Sequence, residues 1–510
     1  MSNSTQFGKI RTVAVVGAGL SGIVSAAHLL RTGISVTVFE RANIAGGVWE
    51  FSPQTGRDSP FPSTRPPVPD WDEPIAEGLS PEKAPLIFAP PGPVYANMKS
   101  RGSEQTMRTS LGDWPDGKRA PLDHNEVLAY LQRIAKIHGV EDKIHFSTRV
   151  ESVTKQGDAQ WRVQASKLVA NSASYTLERK TWIFDAVVVA AGRYGEPRVP
   201  DIPGLSSWKH AHANRVMHSK QYRTPKLYQG KTVLIIGGFI SAAEITNELV
   251  NNGAKVYQSA KDTRVDFRDQ SNHENAEKVA MATEFTTISN VNGRPTFRPQ
   301  TLDDDDPLPG KVVLQDGRVL ESIHYVIIAT GYHTTFPFLG PLLERPSTAY
   351  EDADETVIIT SDGRTAHNLH EDIFYIPDPT LAFMGITHFA STFSMYDFQA
   401  QVLAAVFAER VALPSKAAMR AEQRRRKSRV LPGTLLNSIF LLDDFVIHRM
   451  LHWVNKDLVA RGIEALQGPD HWWWEAFKTE RENARPLLGI LQDNFLSTYD
   501  TNWDKLVDLY

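Results

Sequence analysis

The segment Thr12–Glu40, TVAVVGAGLSGIVSAAHLLRTGISVTVFE, decides the fold of this chain. A β-branched run precedes glycines with the spacing G-x-G-x-x-G, a helix-type stretch follows, and a second short strand ends at Glu40. This order predicts a strand–turn–helix–strand unit that holds the pyrophosphate of a dinucleotide at the helix N-terminus. Gly17 permits the tight turn, Gly19 lets the backbone approach the pyrophosphate, and Gly22 lets the helix pack on the strand. Glu40 is placed to accept hydrogen bonds from ribose hydroxyls.

A second unit of the same kind begins about 220 residues later. Thr232 to Ile236 reads as a strand, a turn starts at Gly237, the helix runs towards Val250, and another strand follows. Two such units predict an α/β fold with two dinucleotide-binding, Rossmann-like domains. The smaller domain is expected to be inserted in the larger one, and the C-terminal region is expected to be helical.

The charge balance and the absence of cysteine exclude several classes of function. Of 510 residues, 55 are Lys or Arg and 59 are Asp or Glu, so the net charge is −4 and gives no electrostatic reason to expect nucleic acid as a partner. Cysteine is absent, which excludes disulfides, thiolate metal sites and a dithiol reductase mechanism. The histidines suggest no metal site. No membrane span is predicted, and a cytoplasmic location is expected.

Other stretches predict local structure. Asp123 and Glu126 form a plausible capping box for a helix through Ile137. Residues 435–451 read as one amphipathic helix. Residues 51–93 are rich in proline, so we expect a long ordered loop without regular elements and hypothesise that it forms a pocket wall or lid.

Further motifs resemble the flavin-containing monooxygenases, the class B flavoprotein monooxygenases. Soon after Glu40 comes Gly46-Gly47-Val48-Trp49, which resembles the FAD-binding region of that family. Residues 95–101, YANMKSR, look like its aromatic-to-Asn segment near the flavin, and 200–204, PDIPG, resemble its interdomain connector. Residues 329–332, ATGY, match its linker motif, so Thr330 and Gly331 are expected at the cofactor sites.

The resemblance implies a function. FAD would be bound by residues 1–195 and 330–510, with contacts at Gly46, Gly47 and Trp49, and NADPH by residues 196–329. NADPH would reduce FAD, O2 would form a flavin C4a-(hydro)peroxide, and one oxygen atom would pass to a small organic substrate. FAD and NADPH are thus the expected cofactors.

The family fingerprint is only partly kept in this chain. It falls on His212, Asn214, His218 and Tyr222, where the histidine and the terminal aromatic are retained. A tyrosine at its end favours the branch of the family that oxidises heteroatoms over the Baeyer–Villiger branch. For His218, a contact in the nucleotide-binding domain is expected rather than proton transfer.

The second glycine turn, GGFISA, carries Phe239 where the pattern has a glycine close to the pyrophosphate. Gly237 and Ser241 in this turn are the expected contacts to the nicotinamide cofactor. Lys261 stands where the family has a basic residue for the NADPH 2′-phosphate, and a cation suits that group. Phe239 leaves two alternatives open: its side chain lies across the pyrophosphate path, or it turns into the domain core.

Arg101 stands where relatives usually have an Asn near the flavin C4a region. A cation there would favour an anionic flavin peroxide, which is the nucleophile for carbonyl substrates, so Arg101 is the catalytic candidate. The alternative is that Arg101 points outward or binds the Pro-rich loop.

Two other functions stay open at this point. Phe239 motivates an NADPH-independent flavin oxidase or dehydrogenase that is reduced by its own substrate. The first glycine turn indicates that a nucleotide binds but not that a reaction takes place. A catalytically silent flavin-binding or redox-sensing protein is therefore a third alternative.

Overall fold

The computed structural model describes residues 8–68, 80, 82–115, 120–157, 160–170, 174–261, 273–287, 290–291, 294–295, 305–388, 390–429, 435–439 and 442–484. The chain divides into two compact units. Unit 1 takes the described residues of 1–56, 65–195 and 333–481, and unit 2 takes those of 57–64, 196–332 and 482–510.

Unit 1 is built on a seven-stranded sheet. Strands are numbered along the whole chain, and those of unit 1 are β1 (Thr12–Val16), β2 (Ser35–Phe39), β3 (Ile144–His145), β4 (Thr148–Gln156), β5 (Gln160–Ala170), β6 (Tyr175–Phe184), β7 (Ala186–Val189), β20 (Leu369–His370), β21 (Phe374–Tyr375) and β22 (Leu381–Phe383). The sheet order is β20-β21-β22-β7-β1-β2-β3, and β4-β5-β6 form a separate antiparallel sheet. The pairs of β1 with β2 and with β7 are parallel.

Helices cover one face of the seven-stranded sheet. The helices of this part of the chain are α1 (Leu20–Arg31), α2 (Lys83–Phe88), α3 (His124–Ile137), α6 (Thr392–Phe407), α7 (Lys416–Arg429), α8 (Asp443–Ala460) and α9 (His471–Ala484). Strand β1 is buried on both faces, because Val13 and Val15 join the core cluster beneath α1 while Ala14 and Val16 join a second cluster. Burial on both faces explains why β1 is a continuous apolar run.

Unit 2 contains the second strand–turn–helix unit. Its strands are β8 (Glu196–Pro197), β9 (Val216–His218), β10 (Thr232–Ile236), β11 (Lys255–Ser259), β12 (Ala276–Val279), β13 (Ala282–Thr287), β14 (Asn290–Val291), β15 (Arg294–Pro295), β16 (Gly310–Leu314), β17 (Val319–Leu320) and β18 (Tyr325–Ile328), with β19 (Tyr332–His333) at the chain's return to unit 1. Its helices are α4 (Leu205–Ala211) and α5 (Ile240–Asn251). The central sheet has the order β12-β11-β10-β18-β9.

Residues 57–64 pack with unit 2, which the sequence-based division at residue 196 does not foresee. Ser63 and Val199 exchange both backbone hydrogen bonds, at 3.0 and 2.9 Å. Residues 57–64 therefore belong to unit 2, to which this β-bridge connects them.

The prediction for α3 is confirmed, including the reciprocal capping box of Asp123 and Glu126. The expectation of no regular element in residues 51–93 is wrong, because α2 forms there. Pro85 is tolerated in its first turn, where backbone N–H groups lack intrahelical acceptors. Residues 69–79 and 81 of the Pro-rich stretch lie outside the described residues.

The predicted helix over residues 435–451 is wrong in its first half, because α8 begins only at Asp443. Tertiary contacts hold the preceding segment in another conformation. Ser438 forms a parallel bridge with His388, and the Asn437 side chain hydrogen-bonds the backbone of Ala366. Within the described part of the chain, no helix combines the length and apolarity that a membrane crossing requires.

Candidate functional site

The first glycine turn is closely packed. Gly17 has a φ of 106° and its N–H donates to the carbonyl of Phe39 at 2.8 Å. A Cβ at Gly17 would overlap the carbonyl of Ala190, and a Cβ at Gly22 would overlap the carbonyl of Gly17. Only glycine fits both positions, which is the steric role that the sequence predicts for them.

Gly19 meets a second glycine from a different loop. Gly47 has a φ of 59°, and a Cβ on it would lie 2.8 Å from the Cα of Gly19. Gly46, with a φ of 139°, donates its N–H to the carbonyl of Ala18 at 3.0 Å. The two predicted motifs therefore come together as one surface of bare backbone, which we call the glycine cradle (Gly17, Gly19, Gly22, Gly46, Gly47).

Helix α1 begins at this cradle with an open N-terminus. Its N-cap, Gly19, has no side chain to accept from the first turn, and that turn contains no acidic residue. The first N–H groups of a helix lack intrahelical acceptors and carry a partial positive charge. The cradle thus offers an anion both donors and close access.

Glu40 is buried at the end of β2, where its carboxylate accepts two backbone hydrogen bonds. Ala18 N–H donates to Oε2 at 2.7 Å and Ala42 N–H donates to Oε1 at 2.8 Å. Each carboxylate oxygen has two lone-pair sites, so Glu40 retains acceptor capacity for ribose hydroxyls. Burial raises the pKa of the nearby Glu50, and the negative charge of Glu40 raises it further.

Trp49, in the segment that follows β2, packs against α6. Its ring meets Phe393 of α6 edge-on, with the centroids 6.2 Å apart. Phe393 also lies against Trp114 and Tyr130, whose rings stack at 4.0 Å. Trp49 is therefore placed beside the glycine cradle by a buried aromatic cluster.

Arg101, the predicted catalytic residue, has an exposed side chain. A cation that lines an open cofactor site is exposed as well, so both alternatives for Arg101 stay open.

At the N-cap of its helix, the second glycine turn has extended backbone angles like those of the first, in spite of Phe239. The N-cap of α5, Phe239, has φ −110° and ψ −172°, while Gly19 has φ −79° and ψ −172°. Any residue adopts such extended angles, so Phe239 does not strain the turn. The side chain of Phe239 is half-buried, which does not fit the alternative of a core residue. Ser241, in the first turn of α5, is exposed.

The end of β11 exposes Lys261, the residue expected at the 2′-phosphate, and buries Ser259 two positions before it. Lys261 is exposed, as a phosphate ligand must be. Ser259 is fully buried, accepting from the N–H of Ala282 at 2.8 Å and donating to the carbonyl of Ala280 at 2.9 Å. Of this pair, Lys261 is the residue that can reach a ligand.

His218 is a buried structural residue of unit 2. Its Nδ1 accepts from the N–H of Lys220 at 3.1 Å, so its Nε2 carries the proton and donates to the carbonyl of Gly331 at 3.1 Å. Its ring also meets Tyr332 edge-on at 5.2 Å. These contacts agree with the expected role within the nucleotide-binding domain and leave no free ring nitrogen for proton transfer.

The linker motif is engaged with the connector. Thr330 donates its hydroxyl to the carbonyl of Arg198 at 2.5 Å, and Gly331, with a φ of 84°, accepts from the N–H of Arg198 at 2.9 Å. The fingerprint tyrosine, Tyr222, donates to Glu248 of α5 at 2.7 Å. These hydrogen bonds thus hold the linker motif and the fingerprint tyrosine within unit 2.

The structure brings the predicted cofactor-binding residues into two sets. Those of unit 1 gather around the open end of α1: Gly17, Gly19, Gly22, Glu40, Gly46, Gly47 and Trp49. Those of unit 2 lie at the end of β9, the start of α5, the end of β11 or in the linker: Gly237, Ser241, Lys261, His218, Thr330 and Gly331. The sequence interpretation did not single out Arg193, four residues after the end of β7, whose guanidinium donates to the backbone carbonyls of Ile386 and Thr387.

Family models match both parts of the chain. Residues 15–62 match an NAD(P)-binding Rossmann-like domain, and residues 113–362 match the pyridine nucleotide-disulphide oxidoreductases. Since the chain has no cysteine, the disulphide chemistry of the second family's name cannot occur here. The match therefore concerns the nucleotide-binding scaffold.

Individual relatives extend over nearly the whole chain. The flavin-containing monooxygenase ustF2 of Aspergillus flavus is 36% identical over 93% of this chain and 97% of its own length. The flavin-containing monooxygenase FMO GS-OX-like 3 of Arabidopsis thaliana is 30% identical over 80% and 79% of the two chains. The solved S-allyl-L-cysteine S-oxygenase of Allium sativum superposes with a TM-score of 0.66 at 23% identity, covering 98% and 97%, and thereby shows the shared fold.

Proposed function

The chain belongs to the flavin-containing monooxygenases, and we propose that it uses NADPH and O2 to insert one oxygen atom into a small organic substrate. Membership makes it a flavoprotein oxidoreductase with FAD and NADPH as cofactors. When bound, FAD supplies the redox chemistry, taking electrons from NADPH and passing on one atom of O2. The protein's own contribution is to bind, orient and exclude water.

The observation that carries this proposal is the glycine cradle with the open end of α1. Gly19 and Gly47 present bare backbone to a pyrophosphate, and the uncapped N–H groups of α1 would donate to it. Glu40 would accept from the ribose hydroxyls of the adenosine part. These residues fit FAD in shape and in donor chemistry.

For NADPH, we propose unit 2 as the binding domain. The turn at Gly237 and the first residues of α5, with the exposed Ser241, would receive the pyrophosphate, and Lys261 would pair with the 2′-phosphate. In this proposal residues 196–329 hold NADPH, while 1–195 and 330–510 hold FAD.

One observation favours a second candidate function. The half-buried side chain of Phe239 stands at the position where Gly19 stands in the first turn. If that ring blocks the pyrophosphate, the protein is a flavin oxidase or dehydrogenase that its own substrate reduces. The backbone of the turn is unstrained in either case, so only the side chain decides.

For the substrate class, we propose heteroatom oxidation. The fingerprint ends in Tyr222, as in the heteroatom-oxidising branch of the family. A nitrogen- or sulfur-containing small molecule is therefore the first class to test.

The test is an anaerobic titration of the yellow protein. NADPH should bleach the flavin before any substrate is added, and admission of O2 with an amine or thioether should then yield one oxygenated product per NADPH. Bleaching by the organic substrate alone would establish the oxidase. A flavin that neither NADPH nor any substrate bleaches would indicate a silent flavin-binding protein.

A further inference from the structure

The second glycine turn differs from the first at the position of its third glycine. In the first turn a Cβ on Gly22 would overlap the carbonyl oxygen of Gly17, so that oxygen packs on a bare Cα. The residue at the same place in the second turn is Ala242, which is buried in the first turn of α5 and carries a Cβ. The carbonyl of Gly237 therefore cannot take the position that the carbonyl of Gly17 has in unit 1.

The backbone of Gly237 is turned accordingly. Its N–H donates to the last residue of β11 at 2.8 Å, just as the N–H of Gly17 donates to the last residue of β2 at 2.8 Å. Its φ, however, is 146°, against 106° for Gly17. The two turns are thus anchored alike at their N–H groups, while the different φ turns the carbonyl that follows.

A glutamine side chain of β11 binds the carbonyl of Gly237. Gln258 is 2% exposed, and its Nε2 donates to that carbonyl at 3.1 Å. Its Oε1 accepts from the hydroxyl of Thr246 in α5 at 3.4 Å. The equivalent places in unit 1 are those of Val38 in β2 and Ala26 in α1, both fully buried. A buried polar pair in unit 2 thus stands where unit 1 has an apolar contact.

The hydrogen bond from Gln258 fixes the direction of a whole peptide unit. Gly237 is buried, and a buried carbonyl without a hydrogen bond would cost free energy. Because a peptide unit is planar and trans, the N–H of Gly238 points away from the carbonyl of Gly237. Holding that carbonyl therefore also sets the direction of an N–H that the turn can offer to an anion at the start of α5.

We propose that Gln258 is a positioning residue for the nicotinamide cofactor. It holds the carbonyl of Gly237 and thereby aims the N–H groups that precede α5 at the pyrophosphate. This inference rests on the proposed function insofar as unit 2 must bind NADPH. Since NADPH and NADH share the pyrophosphate, Gln258 should affect both cofactors alike, unlike Lys261, which we expect to pair with the 2′-phosphate.

The test is a calorimetric titration of the oxidised, FAD-loaded protein with NADP⁺ and with NAD⁺, which requires neither flavin reduction nor O2. Gln258→Val introduces the residue type that β2 carries and removes the donor to Gly237. We expect the Kd to rise about fivefold for both nucleotides, as for the loss of one neutral hydrogen bond. The FAD content should stay that of the wild type. Gln258→Met, whose unbranched side chain adapts to irregular gaps, serves the same comparison should the valine variant not fold.

Two further variants separate positioning from stability. Ala242→Gly in the Gln258→Val background recreates the arrangement of the first turn, where the carbonyl packs on a bare Cα, so the double variant should recover the affinity. Glycine lowers helix stability relative to alanine, so a purely structural role predicts further weakening instead of recovery. Thr246→Ala, which keeps the hydrogen bond from Gln258 to Gly237, is the matched control and should bind both nucleotides as the wild type does.

Unchanged affinity in Gln258→Val would overturn the proposal, as would a loss confined to NADP⁺ or a double variant that binds no better than the single one. Absence of nucleotide binding by the wild type would overturn it together with the assignment of NADPH to unit 2. Binding of NADP⁺ without reduction of FAD by NADPH would refute the proposed function alone, because the titration measures affinity and not electron transfer.

Discussion

Gly19 and Gly47 approach so closely that a Cβ on Gly47 would lie 2.8 Å from the Cα of Gly19. The two glycines come from loops that follow different strands, and each leaves bare backbone on the same surface. Glycine at 47 is required by its φ of 59° as well as by this contact. The pair explains why a turn motif and a downstream Gly-Gly segment act as one binding feature.

The first prediction concerns this contact. Gly19→Val would push branched methyl groups towards Gly47 and into the pyrophosphate path, so the variant should be isolated as colourless apoprotein. The ratio of flavin absorbance to protein absorbance measures this. Gly195→Val is the matched control, since a Cβ there meets nothing within 4 Å; it should keep its FAD. Stoichiometric FAD in the Gly19 variant would refute the assignment of the first turn.

The second prediction concerns cofactor choice. Lys261→Ala should weaken NADPH far more than NADH, because it removes one charge-assisted phosphate contact of about 1.5–3 kcal/mol. Rates of flavin reduction at varied cofactor concentration give both apparent affinities. Lys255→Ala, another exposed lysine of unit 2, should change neither. Equal losses for both cofactors at position 261 would show that Lys261 does not bind the 2′-phosphate.

The third prediction concerns pH. Burial is the largest cause that raises the pKa of Asp443 to about 7, against the N–H of Ser391, which donates to its Oδ1 at 2.5 Å. The folded protein therefore binds a proton that the unfolded chain releases near pH 4, so the contribution of Asp443 to stability falls as pH rises from about 4 to 7 and then levels off. A shift of about three units corresponds to roughly 4 kcal/mol.

Asp443→Asn keeps a hydrogen-bond acceptor but cannot titrate. The free energy of unfolding of the variant should therefore rise relative to that of the wild type between about pH 4 and pH 7. Above pH 7 the difference between the two should stay constant. Urea unfolding at several pH values measures the difference. Asp142→Asn, at an exposed site, should follow the wild type at every pH. A constant difference between Asp443→Asn and wild type across this range would contradict the assignment.

The fourth prediction decides what Phe239 does. If its half-buried ring lies in the pyrophosphate path, Phe239→Gly should accelerate anaerobic flavin reduction by NADPH, while Phe239→Leu, which keeps bulk, should not. Stopped-flow absorbance at the flavin band gives the three rates. Equal rates in all three proteins would show that the ring lies clear of the cofactor.

The sequence predicted the cradle because its signals are local. Spacing, a preceding strand and Glu40 define the turn, and the capping box at Asp123 defines the start of α3. Where tertiary contacts decide, the same reasoning failed. Residues 435–442 have helical periodicity, but Asn437 and Ser438 are held by Ala366 and His388 and the helix starts at Asp443.

Arg193 was missed for a related reason. Its partners lie almost 200 residues further along the chain, in a segment that carries no recognisable motif. The one available signal was its position four residues after the buried strand β7, at the edge of the sheet where ligand-binding residues concentrate. Arg101, by contrast, was singled out by resemblance to a family position, and its role as the catalytic residue stays a prediction.

The central claim is that NADPH reduces FAD held in the glycine cradle, before O2 and substrate react. The most direct measurement is stopped-flow absorbance of the wild-type holoprotein mixed anaerobically with NADPH and no organic substrate. We predict complete bleaching of the flavin band, saturating with NADPH concentration. A flavin that stays oxidised with NADPH, yet bleaches when a candidate substrate is added alone, would contradict the monooxygenase account and establish the oxidase in its place.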